Sequence, residues 1–304
     1  MKKPMAQWWL PALDRLGKKH PLRQQLLRAD HLADTPPARL PALTQWFDVG
    51  TATIPAGALL RQHFAGDAGD SVWMAAEPAW AFADINGVRL MACGSLEVTA
   101  KEAAALVSSL APLFAEVGMQ LLAATPTQWQ LRAAPDTALP ELTAPEQALG
   151  EDLFLHLPKG DAGKRWRILF NDVQMALHEH PVNLARKRHG ETVVNTVWPW
   201  GAGKLPATVT ANVAGVVSDE PLLVALAARA GIERKPLSPD AVALAAAGWL
   251  VDLQGLAAGE FERDWWPSMQ TAMARRALHI VFGSGECWAW RPWHRWRIWR
   301  RPAR

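Results

Sequence analysis

The sequence predicts a mixed α/β protein whose two halves use strands differently. Between residues 71 and 135, runs of β-branched and aromatic residues surround one helical pattern, which favours an antiparallel sheet with one helix. After residue 205, apolar strand-like runs alternate with helical runs, which indicates an α/β layer. The chain has 304 residues, of which 50% are hydrophobic and 20% charged, a composition that favours one large or two modest packed domains over disorder.

Three regions follow from a pass along the chain. Residues 1–70 are rich in Pro, Arg and short leucine patterns, and they predict helical or irregular structure with little functional content. Residues 71–135 form the antiparallel region. Residues 150–304, called the second α/β region below because the region follows the antiparallel one, carry the α/β layer and a basic tail rich in Trp and Arg. The Pro- and Ala-rich stretch 135–150 between them predicts either a linker or a covering loop.

The antiparallel region carries clear turn and cap signals. Asn86-Gly87 favours a two-residue type I′ hairpin turn. The capping box Thr99-x-x-Glu102 opens a helix that runs to Glu116 and ends before Gly118. Strands are predicted at 72–75, 80–84, 88–92, 119–123 and 128–132.

The second α/β region begins with a helix predicted over about 164–179. Pro181 forces His180 out of the α conformation, so that helix stops there. A short strand at 193–198 follows, which Pro199 and the turn Gly201-Ala-Gly203 close. Later elements are predicted as a strand at 214–217, a helix at 221–229, a strand at 249–252, a helix at 261–275, and a hairpin of 278–282 with 287–290.

Ser218 follows the strand at 214–217 and could be mistaken for a nucleophile. No His follows it at a distance that would place a base beside it, so we interpret Ser218 as a helix N-cap.

Residues 178–206, HEHPVNLARKRHGETVVNTVWPWGAGKLP, are called the central segment below. It combines His, Asn, basic residues, Trp and a Gly-x-Gly turn, a mixture that a plain connection does not need. Glycines at the end of a strand allow backbone N–H groups to approach a ligand, and Arg186 to Arg188 and Lys204 favour an anion. The alternative, a helix cap and buried turn fixed by the Asn183 and Asn195 side chains, stays open.

Two other interpretations of the central segment are weaker. Gly203-Lys204 ends like a P-loop, but Trp198 stands at the first glycine position and Leu205 replaces the Ser or Thr that binds Mg²⁺. His178 and His180 could bind a metal only with partners that the segment does not supply, apart from Glu179. We therefore expect no resident metal.

The pattern His180-Pro-Val-Asn183, Arg186, Gly190, Asn195 and Gly201-x-Gly203 resembles a segment of known enzymes. These are the archaeal-type, cofactor-independent phosphoglycerate mutases of the alkaline phosphatase superfamily. The pattern is more similar still to a proteobacterial family known as regulation-of-pathogenicity-factors E proteins. The resemblance extends more weakly over 72–132 and 215–301, and it implies an alkaline-phosphatase-like C-terminal half.

The candidate ligand-binding residues follow from the segment and from this resemblance. They are His180, Asn183, Arg186, Asn195, Trp198, Trp200, Gly201, Gly203 and Lys204.

The chain departs from the mutases where their chemistry is done. A two-metal displacement needs a cluster of Asp and His ligands and a nucleophile. The early strand that ends in Asp-Gly and the late His-x-x-x-Asp-x-x-Gly-His run are both missing, and Trp200 stands where the mutases carry an Arg. We expect no cofactor, and Mn²⁺ or Mg²⁺ only if the chain is an active enzyme.

Two hypotheses of function follow. The first is a cytoplasmic, phosphoglycerate-mutase-like regulatory protein, non-catalytic or weakly active, that keeps a pocket for a small phosphorylated or carboxylate ligand. The alternative is an active metal-dependent mutase or related phosphate-ester enzyme. The two Cys predict no disulfide framework, and no apolar run reaches the roughly 20 residues of a membrane span. No long apolar run follows Met1-Lys-Lys, so we expect no signal peptide. A protein partner is left open.

The C-terminal tail suggests a third hypothesis. Trp290, Trp293, Trp296 and Trp299 recur every three residues with Arg between them, in a chain with 17 Trp and no Tyr. Interleaved Arg and Trp could bind single-stranded nucleic acid or a membrane surface. We favour the simpler interpretation that the indoles bury and the Arg side chains cover them in water, so nucleic acid is not the expected partner.

Overall fold

A computed structural model describes residues 5–85, 87–244, 248–256 and 258–297. The chain forms two compact units. Met1–Thr51 and Thr208–Arg304 make the first, called the parallel-sheet unit, and Ala52–Ala207 make the second, called the antiparallel unit. The predicted mixed α/β class is confirmed. The boundaries predicted near residues 70 and 150 do not coincide with this division.

The strands, in chain order, are β1 (Ala6–Leu10), β2 (Asp30–His31), β3 (Phe47–Asp48), β4 (Val72–Asp84), β5 (Gly87–Cys93), β6 (Gln120–Ala123), β7 (Trp129–Ala133), β8 (Thr196–Gly203), β9 (Thr210–Ala211), β10 (Gly215–Val217), β11 (Glu233–Lys235), β12 (Trp249–Asp252), β13 (Leu278–Phe282) and β14 (Cys287–Trp290).

The helices are α1 (Pro21–Leu26), α2 (Arg39–Leu43), α3 (Ala56–Ala65), α4 (Ala100–Glu116), α5 (Pro145–Ala148), α6 (Gly160–His178), α7 (Pro181–Arg188), α8 (Pro221–Ala230), α9 (Pro239–Leu244), α10 (Ala258–Glu260) and α11 (Trp266–Arg275). A π-helical turn, Phe261–Trp265, leads into α11, and 3₁₀ turns occur at Leu13–Arg15, Leu153–His156 and Pro292–Trp296. None of the helices in the described part of the chain has the length and hydropathy that crossing a bilayer requires.

The parallel-sheet unit is built on a seven-stranded sheet with the order β11-β10-β12-β1-β13-β14-β2. Strand β1 lies at its centre and runs parallel to β12 and β13. Trp8, Trp9 and Leu10 are fully buried, because both faces of a central strand are covered. The prediction of only short helices and loops before residue 70 is therefore wrong. The run of β1 is five residues long, and its partners lie more than 200 residues later, so no local pattern marks it.

Each face of this sheet has its own packing. Trp8 belongs to a core cluster with Leu22 of α1, Met269 of α11 and Ile280 of β13. Trp9 points to the opposite face by strand alternation and meets Trp46 edge to face, with ring centroids 5.0 Å apart. The centre of the sheet is thus a buried layer, as parallel sheets are in α/β units, whereas the edge strand β11 is exposed.

The antiparallel unit is organised around the long strand β4. It pairs with β5, β7 and β8, and β7 pairs with β6. The strands predicted at 72–75 and 80–84 are one strand, bent by an irregularity between Trp80 and Ala81. The β4–β5 hairpin is present, but its predicted turn falls on Asn86, which lies outside the described residues.

The predicted helix α6 and the predicted capping box of α4 are both present in this unit. Thr99 Oγ1 accepts the Glu102 N–H at 3.3 Å and the Glu102 carboxylate accepts the Thr99 N–H at 2.8 Å, so the capping box of α4 is confirmed. Helix α6 is confirmed and starts four residues earlier than predicted. The stretch 135–150 is a covering segment rather than a linker, since Leu142, Ala144 and Ala148 are buried.

The C-terminal tail only partly follows its prediction. Trp290 is buried and donates its indole N–H to the Met273 carbonyl at 2.8 Å. Trp293 and Trp296 belong to the 3₁₀ turn after β14 and stay 52% and 67% exposed. Arg297 lies over the Trp293 ring at 4.3 Å, and Trp299 is outside the described residues.

The tail is nevertheless tied to the sheet edge by charge. Arg291 and Arg297 both pair with Asp30 on β2, and the buried His294 lies 3.4 Å from the same carboxylate. One carboxylate thus anchors two guanidiniums that would otherwise repel one another, and the His294 ring lies beside it.

We expect deletion of residues 293–304 to lower the melting temperature, because it removes Arg297 and His294 from Asp30. The pairs are partly exposed, so the loss is on the order of 1 kcal/mol, or about 2–4 °C for a protein of this size. The variant Trp296→Ala, which removes a mostly exposed ring and keeps Arg291, His294 and Arg297, should melt close to the parent. An unchanged melting temperature on truncation, together with loss of a salt-dependent affinity for oligonucleotides, would instead make the tail a binding element.

Candidate functional site

His180 acts as the N-cap of α7. Its Nδ1 accepts the Val182 N–H at 3.2 Å, and its Nε2 lies 3.0 Å from Ser109 Oγ. An accepting Nδ1 puts the ring proton of neutral His on Nε2, so His180 donates to Ser109 and is not placed to take its proton. The pair therefore lacks the geometry of an activated serine.

Asn183 is buried and joins three elements through its amide. Its Nδ2 donates to the carbonyls of Leu177 and Val194 at 2.8 and 2.7 Å, and its Oδ1 accepts the Val194 N–H at 3.0 Å. The side chain thus fixes α7 between the end of α6 and the approach to β8.

The Asn195 side chain bonds to the backbone of β4 beside its irregularity. Its Oδ1 accepts the Ala81 N–H and its Nδ2 donates to the Ala81 carbonyl, both at 2.7 Å. The shift between Trp80 and Ala81 disturbs the regular ladder there, and a side-chain amide can replace a peptide group.

Arg186 is 3% exposed, and its guanidinium is engaged by the protein itself. It donates to the carbonyls of Thr192 and Glu97 at 2.8 and 2.9 Å and to the Glu102 carboxylate at 3.0 Å. Burial alone would raise the pKa of Glu102, but hydrogen bonds from Thr99 and Arg186 outweigh it and hold that pKa below its usual value. Arg186 therefore joins α7 to the start of α4.

A groove of about 770 Å³ opens beside Arg186. Its lining includes the carboxylates of Glu97, Glu102 and Glu191 as well as Arg186 and His189. Three acidic side chains against one guanidinium, which is already paired, do not attract an anion.

The glycines of the central segment allow β8 to pack closely against the start of α3. Strand β8 does not stop at Pro199 as predicted but continues through Gly203. A Cβ on Gly201 would lie 2.5 Å from the Ala56 Cβ, and one on Gly203 would lie 2.6 Å from the Pro55 Cβ. Their positive φ values of 61° and 157° also favour glycine. The turn is packed against the start of α3.

The two tryptophans are core residues of the same strand. Trp198 is fully buried and donates its indole N–H to the Thr143 carbonyl at 2.9 Å. Trp200 is 4% exposed, and its indole N–H finds no hydrogen-bond acceptor among the described residues. Lys204 beyond them is exposed.

The structure places the nine candidate residues along the length of β8 and near its two ends, rather than around one point. Thr196 lies opposite Ala79 and Gly203 lies opposite Trp73, at the two ends of β8. At about 3.3 Å per residue these ends are over 20 Å apart. Asn195 and Arg186, which bonds to Thr192, therefore lie near one end of β8 and the glycines lie at the other, too far apart to contact one small ligand together. A ligand-binding role for individual members stays a prediction.

A charged cluster that the sequence analysis missed lies at the carboxyl ends of β10 and β12. Ser218 Oγ donates to Asp252 at 3.2 Å and accepts the Glu220 N–H at 3.0 Å. Arg39 pairs with Glu220 at 3.2 Å and lies 3.9 Å from Asp252. Burial raises the pKa of Asp252, and Arg39 opposes this rise. A polar residue that ends an apolar strand, as Asp252 does, was the available signal.

The N-cap of α8 is Glu220 rather than Ser218. The Glu220 carboxylate accepts the N–H groups of Leu222 and Leu223 at 3.1 and 2.7 Å. The chain therefore places its own anion at the helix N-terminus, where free N–H groups and the helix dipole favour negative charge. Within the described ranges, no group of three His, Cys, Asp or Glu side chains is gathered closely enough to hold a metal ion.

Comparison with known proteins supports a limited relationship. The chain is locally similar to phosphoglycerate mutases. It is 37% identical over 62 residues to a probable 2,3-bisphosphoglycerate-independent phosphoglycerate mutase of Geobacter sulfurreducens, a match of 20% of this chain and 16% of that protein. It is 36% identical over 66 residues to the Methanosarcina mazei 2,3-bisphosphoglycerate-independent phosphoglycerate mutase, a match of 22% and 17%. The matches thus span about a sixth of the relatives' length.

Two solved structures align with most of the chain at low similarity. A cofactor-independent phosphoglycerate mutase from Thermoplasma acidophilum is 13% identical, covers 95% of this chain and 90% of its own, and has a TM-score of 0.41. A Pyrococcus horikoshii protein is 11% identical, with coverage of 95% and 87% and a TM-score of 0.43. No protein-family model matches the chain.

We expect Gly201→Ala to cost more stability than Gly190→Ala. Both glycines have a positive φ, 61° and 72°, so both variants carry the strain of a left-handed residue, about 1–2 kcal/mol. Only Gly201 would also press a Cβ onto Ala56, whereas Gly190 faces open space. Overpacking of this kind adds about 1–3 kcal/mol. Denaturant unfolding of both variants measures the difference, and equal losses would show that the close approach to α3 is unimportant.

The His180 cap predicts a pH dependence. Burial lowers the pKa of His180 below its usual value, so the unfolded chain takes up a proton first as pH falls. The stabilisation is complete above the unfolded pKa of about 6.5 and is lost as pH falls from there toward the folded pKa. The variant His180→Asn keeps a cap without titrating. Its unfolding free energy should fall less than the parent's as the pH falls from about 7 to below the unfolded pKa of about 6.5. Parallel curves would contradict this.

Proposed function

We propose that the protein is a phosphoglycerate-mutase-like regulatory protein with an alkaline-phosphatase-like fold, which binds a small ligand with an anionic group and has little or no turnover of its own. The observation that carries this proposal is the cluster of Arg39, Ser218, Glu220 and Asp252. Active sites of open α/β sheets lie beyond the carboxyl ends of the strands. The four side chains that occupy that position here are paired with one another, which opposes turnover.

The contacts within the cluster support the proposal. A metal-assisted phosphoryl transfer uses carboxylates that are open to cations and a nucleophile that is free to attack. Here Asp252 is 5% exposed and accepts hydrogen bonds from Ser218 and from the Gln254 N–H. Arg39 is held by Glu220 and lies over the Trp9 ring at 5.4 Å. The groups that could do chemistry are engaged with one another.

A cytoplasmic location belongs to the same proposal. Cys93 and Cys287 are both free thiols, which suits a reducing compartment.

The enzyme alternative has one specific observation in its favour. The local identity of 36–37% is to proteins named as phosphoglycerate mutases. An active protein would need Mn²⁺ or Mg²⁺ to bind at residues that the cluster now uses internally.

The test is an assay of 3-phosphoglycerate conversion by the purified full chain with Mn²⁺ or Mg²⁺ supplied. We expect no rate above that of a buffer control, because the cluster at the strand ends is internally paired. The Asp252→Asn variant and a chelator-treated sample serve as controls. Turnover that survives purification, disappears with chelator and is abolished in Asp252→Asn would establish the enzyme alternative.

A further inference from the structure

We propose that the ligand site is a cavity in the antiparallel unit, and that its ligand is a small zwitterion with an apolar body, such as an apolar amino acid or dipeptide. The cavity lies between the end of α4, the first turns of α6 and residues 137–140. This proposal rests on the proposed function, since it names the ligand that the regulatory hypothesis requires. None of the nine candidate residues lines the cavity.

Its size and lining fit a small molecule. The volume is about 560 Å³, within the range of roughly 300–1,000 Å³ that holds small ligands. Met119, Leu139, Trp166 and Leu169 supply apolar walls. Trp166 and Leu169 are themselves anchored in the core of α6, at 7% and 6% exposure, so that wall is fixed by packing. An apolar body would therefore enter a surface that is already ordered.

Two opposite charges stand on the lining. Glu116 closes the last turn of α4, and Arg165 projects from α6. Both side chains are exposed, and neither makes an ion pair or hydrogen bond with a residue in the described part of the chain. They form no ion pair with one another, which leaves a guanidinium and a carboxylate available to a ligand.

The helix dipole of α4 reinforces the negative charge at the Glu116 end of the cavity. The carboxyl end of a helix carries partial negative charge, so the end of α4 adds to Glu116 and favours an ammonium group. The Arg165 guanidinium favours a carboxylate, which it can hold by two parallel hydrogen bonds. A plain anion would meet Glu116 unfavourably and a plain cation would meet Arg165 unfavourably. A zwitterion satisfies both.

The experiment is isothermal titration calorimetry on the full chain with L-phenylalanine and with the dipeptide Leu-Phe. N-acetyl-phenylalanine, which lacks the ammonium group, and 2-phenylethylamine, which lacks the carboxylate, test each charge. We expect at least one zwitterion to bind, and each truncated compound to bind at least about tenfold more weakly. Preference for N-acetyl-phenylalanine or for the amine would overturn the assignment of charges, and no binding of either zwitterion would overturn the site.

Variants locate the site. Arg165→Gln and Glu116→Gln should each weaken zwitterion binding by about tenfold or more. Both side chains are exposed and have no bonding partner among the described residues, so these variants should melt like the parent. Arg167→Gln, on the same helix but not on the cavity lining, is the matched control and should bind like the parent. Ala138→Phe adds a ring to the lining and should reduce binding. Equal affinity in Arg165→Gln and Arg167→Gln would place the ligand elsewhere and contradict the proposal.

The two hypotheses fail separately. Mutase turnover would remove the non-catalytic claim and leave a measured zwitterion affinity unaffected. Absence of zwitterion binding in a protein without turnover would remove only the cavity assignment.

Discussion

The burial of β1 between β12 and β13 is the constraint on which the parallel-sheet unit depends. This five-residue strand supplies Trp8 to one face of the sheet and Trp9 to the other, so the packing on both sides needs it in place. Its partners are more than 200 residues away in sequence, and bringing them together costs conformational entropy. The apolar area that the two indoles bury offsets this cost. Its register also sets the Trp9 indole beneath Arg39 and beside Asp252, so the charged cluster depends on the same strand.

The central segment shows how a pattern that looks like a binding site can be a framework for folding. Asn183, Arg186 and Asn195 are polar and clustered in sequence because each satisfies backbone groups at a junction where regular pairing stops. Buried peptide groups without partners cost about 1–3 kcal/mol each, so such junctions require polar side chains. A resemblance carried by residues of this kind indicates a shared local fold, and it indicates shared chemistry less strongly.

Much of the fold could be predicted where the signal is local. The capping box of α4, the helix α6, the strand β12 and the β13–β14 hairpin all follow from periodicity and turn residues that lie within each element. The course of β8 could not, since Gly201 and Gly203 are explained by Ala56 and Pro55, some 145 residues earlier. The cavity beside Arg165 is likewise formed by three segments that are distant in sequence.

The candidate sites differ in whether the protein has already satisfied their charges. Arg186 lies in the central segment that resembles the mutases, and Arg39 lies at the carboxyl ends of β10 and β12. Both guanidiniums are paired with carboxylates of the chain. Releasing either for a ligand would leave a buried or half-buried carboxylate without its partner, which opposes binding. Arg165 carries no such penalty, because it is exposed at the edge of an ordered apolar wall and makes no ion pair or side-chain hydrogen bond within the described residues. An anionic group can therefore be bound there without first breaking a contact that the fold needs.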